Sequence, residues 1–388
     1  MKIMDYEIPH LIIGAGPAGL AMAAQFHHAG LPYVLLEKEA VAGNSWRQHY
    51  DRLHLHTTKA LSHLPHLPFP AHYPQYVPRQ LVVEYLDQYM QHMQIEARCG
   101  QEVVSLRREG AQWECQTRSG DRYLAGKVVV ATGFNRIPVA PAWPGMEAFG
   151  GPILHSRAYK SGKAFAGQHV LVVGMGNTGA ELAIDLHEQG AHPFISVRGP
   201  VNIVLRDLKF TGRSTQETAI LLSRLPHWLG DFIATQVGKL TVGNLRPFGI
   251  ERPAIAPSRQ LRELGKTPVI DVGTVDLIRK GHIRVLPDVA AFSPGRIRFA
   301  DGRELPFDAV VLATGYRAQV EDFIEDTTGL FNAFGVPCTL MFPDTHPGLY
   351  FLGFNGYAVG GLLRNIRIDS EVILEHVRMD ISANGIAG

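Results

Sequence analysis

The stretch His10-Leu11-Ile12-Ile13-Gly14-Ala15-Gly16-Pro17-Ala18-Gly19 decides the fold. The short apolar run Ile8–Ile13 stops at a glycine, and two more glycines follow at GxGxxG spacing. Ala18–Ala29 then repeats apolar residues with a helical period, and Gly30 ends it. The first glycine allows the tight turn. The second lets a pyrophosphate approach the backbone, and the third lets helix and strand lie close. The helix N-terminus presents free N–H groups to an anion. Tyr33–Leu36 reads as the next strand and ends at Glu37, 18 residues past Gly19. A carboxylate there accepts ribose hydroxyls and repels a 2′-phosphate.

Working outward, the scheme restarts. His169–Val173 reads as a strand, followed by Gly174-Met175-Gly176-Asn177-Thr178-Gly179, a helix over Ala180–Gln189 and a strand over Phe194–Arg198. Arg198 is expected where Glu37 stands in the first copy, and its planar fork of donors suits a 2′-phosphate. Each copy has a later strand ending in Ala-Thr-Gly, at Ala131-Thr132-Gly133 and Ala313-Thr314-Gly315. The expected fold class is therefore α/β, with two Rossmann-like dinucleotide-binding domains, one inserted into the other. The boundaries read as 1–158 with 306–388 for the outer domain and 159–305 for the inner one. The proline-rich stretches Leu61–Pro78 and Pro138–Pro144 read as a wrapping loop and a linker. Between 205 and 260 a helical insertion is expected on the substrate side. In it, Ala219–Leu240 reads as two amphipathic helices, with a membrane-surface or subunit contact as the alternative.

Composition narrows the classes. The chain has 388 residues, net charge +1 and 46% hydrophobic residues, which suits two globular domains and gives no basic excess for nucleic acid. No run of about 18 apolar residues occurs, so no stable membrane anchor is expected. Cys99, Cys115 and Cys338 form no CxxC, which argues against a disulfide reductase and for a reducing, cytoplasmic setting. His54, His56, His63, His66 and His72 cluster in sequence without metal-site spacing, so no metal is expected.

Between the two glycine loops lies Phe149-Gly150-Gly151-Pro152-Ile153-Leu154-His155-Ser156-Arg157-Ala158-Tyr159. It fits FxGxxxHxxx(Y/F), and the chain resembles the class B flavin-dependent monooxygenases. The segments Tyr50–Leu53, Leu67–Pro70, Gly265–Thr274 and Gly348–Phe351 look like the YUCCA-type plant branch. The fingerprint ends in Tyr159, where Baeyer–Villiger relatives usually have Trp. His56 stands where many heteroatom-oxidising members have an Asn near the flavin. The membrane-binding C-terminal tail of animal members is not expected.

The resemblance implies FAD in the outer domain and NADPH in the inner one. It implies oxygen insertion from O2 into a small soft nucleophile (an amine, a sulfide or indole) through a C4a-hydroperoxyflavin. Oxidative decarboxylation of an indolic 2-oxo acid and Baeyer–Villiger oxidation of a ketone are the alternatives. FAD is then expected to meet Gly14, Gly16, Pro17, Ala18, Gly19, Glu37, Lys38, Asn44, Ser45, Trp46, Arg52, His56, Val104, Ala131, Thr132, Gly133 and Asn355. NADPH is expected to meet Gly174, Gly176, Asn177, Thr178, Gly179, Arg198, Ala313, Thr314 and Gly315. His56 and Asn177 are the catalytic candidates. His155 is expected in the linker between the domains. The helix Leu362–Arg378 is expected to point its N-terminus at the flavin pyrimidine. A homodimer is left open.

Overall fold

The computed structural model describes residues 4–208, 212–356 and 358–383. Residues 209–211 of the expected insertion lie outside the described residues.

Two sheets organise the chain. In the first, Asp5–Ile13 runs parallel to Val34–Leu36 on one side and to Arg122–Val130 on the other. Arg122–Val130 is one continuous strand. Its first half pairs antiparallel with Gln112–Thr117, and its far half pairs parallel with Leu349–Phe351. Val103–Glu109 closes the antiparallel edge. Leu11, Ile12, Val128 and Val130 are fully buried, as expected for parallel strands covered on both faces. Helix Pro17–His28 covers one face and lies beside the C-terminal helix Leu362–Ala383, where Gln25 Nε2 donates to Ser370 Oγ at 3.3 Å.

The second sheet is wholly parallel. Its order is Arg284–Leu286, His192–Ser196, His169–Val173, Ala309–Leu312 and Ile153–His155. Two of these strands correct the sequence reading. Ile153–His155 and Ala309–Leu312 were assigned to the outer domain, yet they hydrogen-bond inside the inner sheet. His155 thus belongs to an edge strand, not to a linker. The crossings between the sheets lie further out. Ile137–Pro138 and Tyr316–Arg317 pair antiparallel as a two-stranded ribbon, and Val139 N donates to Gly315 O at 3.0 Å.

The insertion folds as helices Thr215–Leu222, His227–Val242 and Pro257–Leu264. Ser214 caps the first through a reciprocal pair with Glu217. Trp228 (72%), Phe232 (58%) and Leu240 (86%) stand exposed on the second.

Candidate functional site

The two glycine loops superimpose in their contacts. Gly14 N donates to Leu36 O at 2.7 Å and Gly174 N to Ser196 O at 3.0 Å. Both glycines have positive φ, +102° and +107°. A Cβ on them would stand 2.8 Å from Ala131 O and 2.7 Å from Ala313 O. A Cβ on Gly19 would fall 1.8 Å from Gly14 O, and on Gly179 1.9 Å from Gly174 O. Gly16 and Gly176 face open space, with nothing within 4 Å. The loops therefore have the form of pyrophosphate cradles, closed by backbone behind and empty in front.

The strand ends differ from the expectation by one residue. Ile13 pairs with Leu36 and Val173 with Ser196, so Glu37 matches Val197, and Arg198 matches Lys38. Glu37 is buried and its carboxylate accepts from Ala15 N at 2.7 Å and Glu39 N at 3.0 Å. Val197 is buried at the corresponding place, without a carboxylate, and Arg198 beyond it is exposed. The charge contrast survives in altered form. The second strand end lacks a carboxylate at this place, and its cation stands one residue further out.

A cleft of about 510 Å³ opens in front of the first loop. Of the expected residues it takes in Gly14, Gly16, Pro17, Ala18, Glu37, Lys38, Asn44, Ser45, Trp46, His56, Ala131, Thr132, Gly133 and Asn177. Leu362, Leu363 and Ile366 from the start of the C-terminal helix also face it. Gly19 serves at the back of the turn. The second loop's remaining residues, with Ala313, Thr314, Gly315 and Arg198, lie outside this cleft. Three expectations need correction. Val104 is 40% exposed, because strand alternation turns Val103 inward instead, and Val103 lines the cleft. Arg52 is held by Glu188 on the second glycine-loop helix, Nε–Oε2 2.8 Å and Nη2–Oε1 3.0 Å. Asn355 is not part of the cleft lining, and its Nδ2 donates to Asp369 Oδ2 at 3.3 Å.

The cleft fits a polar, phosphate-bearing cofactor. Two buried polar atoms of its lining, Thr132 Oγ1 and His56 Nδ1, lack a protein partner among the described residues. The carboxamide of Asn177 is engaged at both ends, accepting from Ile270 N at 2.7 Å and donating to Pro268 O at 3.4 Å. That leaves Asn177 as a brace of the cleft wall.

The fold brings to His56 a residue that the sequence reading does not single out. Glu181, buried on helix Asn177–Glu188, makes a short hydrogen bond with His56 Nε2. Arg52 Nη1 stands 3.8 Å from its other oxygen. A carboxylate partner makes Nε2 an N–H donor and orients the ring with Nδ1 towards the cleft. Burial, and then the Glu181 charge, push the Tyr50 hydroxyl well above its usual range. Glu181 and Asp185 lie one helical turn apart inside an apolar run, a pattern that called for partners.

Each fingerprint residue has a structural task. Phe149 is buried edge-on to Phe292, at 5.6 Å between centroids. A Cβ on Gly151 would stand 2.4 Å from Asp308 O. His155 donates Nε2–H to Gly315 O at 3.1 Å and accepts from Arg157 N at Nδ1, also at 3.1 Å. Burial lowers its pKa, in keeping with a neutral ring. Tyr159 donates to Asp185 at 2.6 Å, and burial with the Asp185 carboxylate holds its hydroxyl far above the usual range. Tyr159→Phe should lower stability by about 1–2 kcal/mol through this one bond. A thermal melt matching that of the wild type would discount it.

Among the described residues, the clustered histidines disperse. His63 meets Arg367, and His66 Nε2 contacts Gln25 Oε1 at 2.9 Å. All three cysteines are free thiols.

A family model described as pyridine nucleotide-disulphide oxidoreductase matches residues 11–206. Probable indole-3-pyruvate monooxygenase YUCCA3 of Arabidopsis thaliana is 36% identical over 89% of this chain and 81% of its own length. Indole-3-pyruvate monooxygenase YUCCA1 of Oryza sativa subsp. japonica is 39% identical over 89% and 86%. Among solved structures, a flavin-containing monooxygenase from Stenotrophomonas maltophilia aligns with a TM-score of 0.72 at 24% identity, over 96% of this chain and 99% of that one. A cyclohexanone monooxygenase mutant from Rhodococcus sp. Phi1 bound to NADP+ gives 0.74 at 18%, over 98% and 87%. The structural likenesses agree with the two-domain fold. With the glycine loops, fingerprint and near-complete coverage together, the chain belongs to the class B flavin-dependent monooxygenases, FAD- and NADPH-dependent oxidoreductases, on their YUCCA-like branch.

Proposed function

We propose that the protein inserts one oxygen atom from O2 into a small soft nucleophile such as an amine, a sulfide or indole. NADPH and one solvent proton supply two electrons and two hydrogens. One oxygen atom goes to the substrate and the other leaves as water. The bound flavin supplies the oxygen chemistry, and the chain supplies binding, orientation and exclusion of water.

We assign FAD to the first glycine loop and its cleft, in an outer domain spanning about 4–139 and 316–383. Gly14, Gly16 and the helix N-terminus at Pro17 would hold the pyrophosphate, and Glu37 a ribose. The N-terminus of helix Leu362–Ala383 would face the ring system. NADPH goes to the second loop, with Arg198 on the 2′-phosphate. His56 would turn Nδ1 towards the ring system as a hydrogen-bond acceptor, oriented by Glu181. The observation that carries this reading is the matched pair of open cradles with unlike strand ends, acid at Glu37 and apolar Val197 before Arg198.

Arg198→Ala tests it. The Michaelis constant for NADPH should rise roughly 10–100-fold, from the loss of about 1.5–3 kcal/mol of charged hydrogen bonding. The constant for NADH should stay within about threefold. An equal rise for both nucleotides would remove the 2′-phosphate assignment.

The names of the curated relatives favour a second reading, oxidative decarboxylation of an indolic 2-oxo acid. It predicts carbon dioxide release in step with NADPH consumption. Among the described residues no helix is long and apolar enough to cross a membrane. We further propose a cytoplasmic setting, supported by the free thiols, and a homodimer, supported by the exposed Trp228, Phe232 and Leu240.

A further inference from the structure

The helical insertion encloses a cavity of its own. It measures about 340 Å³ and lies among the three helices Thr215–Leu222, His227–Val242 and Pro257–Leu264. That volume is within the range of about 300–1,000 Å³ usual for small-molecule sites. Its walls are mainly apolar, with Ala219, Leu222, Ala234, Val237 and Leu261 among them.

The charged groups that line it are already matched. Arg262 grips Asp231 through both nitrogens, at 3.0 and 2.8 Å, and Ser258 Oγ donates to the same carboxylate at 2.5 Å. The Arg262–Asp231 pair has no net charge and leaves neither partner set aside for an anionic ligand, and His227 is the remaining titratable residue of the lining. Breaking the pair to free Arg262 would strand Asp231 half-desolvated, which disfavours a carboxylate guest.

The floor of the cavity is also the wall of the cofactor cleft. Pro268, Ala358 and Val359 face the cavity, while their chain neighbours Thr267, Ile270 and Gly361 face the cleft. The partition is one chain thick at both places. Gln216, buried on the first insertion helix, ties it down. Its side-chain nitrogen donates to Gly360 O, and its oxygen accepts from Thr58 N at 2.8 Å, two residues from His56. The same side chain therefore touches the cavity's helix, the partition and the His56 segment.

We propose that this cavity is the holding site for an uncharged, mainly apolar substrate such as indole, beside the cofactor cleft. The proposal rests on the monooxygenase reading above and adds the substrate's place and charge. A neutral indole matches the lining, whereas an indole bearing a carboxylate does not.

The test uses oxidised holoenzyme without NADPH, so that binding is read without turnover. Indole and indole-3-acetate are titrated by calorimetry into the wild type, Ala234→Trp and Ala219→Phe, both of which fill the cavity. Flavin content, thermal melting and the rate of flavin reduction by NADPH are measured on each variant. We expect the wild type to bind indole at least tenfold more tightly than indole-3-acetate. At least one cavity-filling variant should weaken indole binding tenfold or more while its flavin content, melting and reduction rate stay native. Leu222→Ala should let a bulkier neutral aromatic bind at least as tightly as indole does in the wild type. Unchanged indole affinity in both filled variants would overturn the proposal, and so would equal affinity for the anion in the wild type. Failure of the monooxygenase reading looks different, because it would show as protein without flavin or flavin that NADPH does not reduce.

Discussion

Gly19→Ala should yield protein without bound flavin, whereas Gly179→Ala should stay yellow and lose reduction by NADPH. Both substitutions drive a Cβ into a carbonyl oxygen across the same turn, at 1.8 Å from Gly14 O and 1.9 Å from Gly174 O. Backbone lies on both sides of the contact, so no side chain can rotate away. Overpacking of this kind typically costs about 1–3 kcal/mol and at times more, so nucleotide affinity should fall by roughly 10–100-fold or beyond. Gly16→Ala separates fold from cofactor. Its Cβ meets nothing within 4 Å, so the apoprotein should melt as the wild type does and still fail to hold flavin. Flavin absorbance after gel filtration and single-turnover reduction by NADPH read the two sites independently. Should Gly179→Ala lose the flavin and Gly19→Ala keep it, the two assignments are exchanged.

The second large effect is expected at Glu181. Its carboxylate is the partner of His56 Nε2 and belongs to the other domain. Glu181→Ala leaves a buried N–H donor unmatched, a loss of about 1–3 kcal/mol. It also releases the ring to take either tautomer, so Nδ1 no longer offers a fixed lone pair to the cleft. Loss of such a supporting contact usually lowers activity about 10–100-fold. We expect product formation to fall by that factor and hydrogen peroxide to rise in its place, with the Michaelis constant for NADPH little changed. Glu181 is a positioning residue in this account, so the product-to-peroxide ratio should also fall in Glu181→Gln and be restored in Glu181→Asp. A mutant with the wild-type ratio would reduce the His56–Glu181 bond to simple packing.

Sequence alone revealed most of the frame, for a physical reason. A dinucleotide cradle is written in contiguous residues, so the turns at Gly14–Gly19 and Gly174–Gly179 could be read directly. What escaped needed geometry. Arg198 is the first charged residue past its strand, but the same count of 18 residues that leads from Gly19 to Glu37 leads from Gly179 to Val197, and the strand register agrees. Val103, not Val104, faces the cleft, because alternation along the strand turns only one of the two inward. Ile153–His155 and Ala309–Leu312 lie outside the expected bounds 159–305 because their pairing with the inner sheet joins residues far apart along the chain. His56 and Glu181 are 125 residues apart, so no local pattern joined them.

The ribbon formed by Ile137–Pro138 and Tyr316–Arg317 gathers both crossings between the domains into one bonded strip. Arg52–Glu188 and His56–Glu181 add side-chain contacts from the outer-sheet chain to helix Asn177–Glu188, so the residues that fasten the two halves together are the same ones that aim the imidazole.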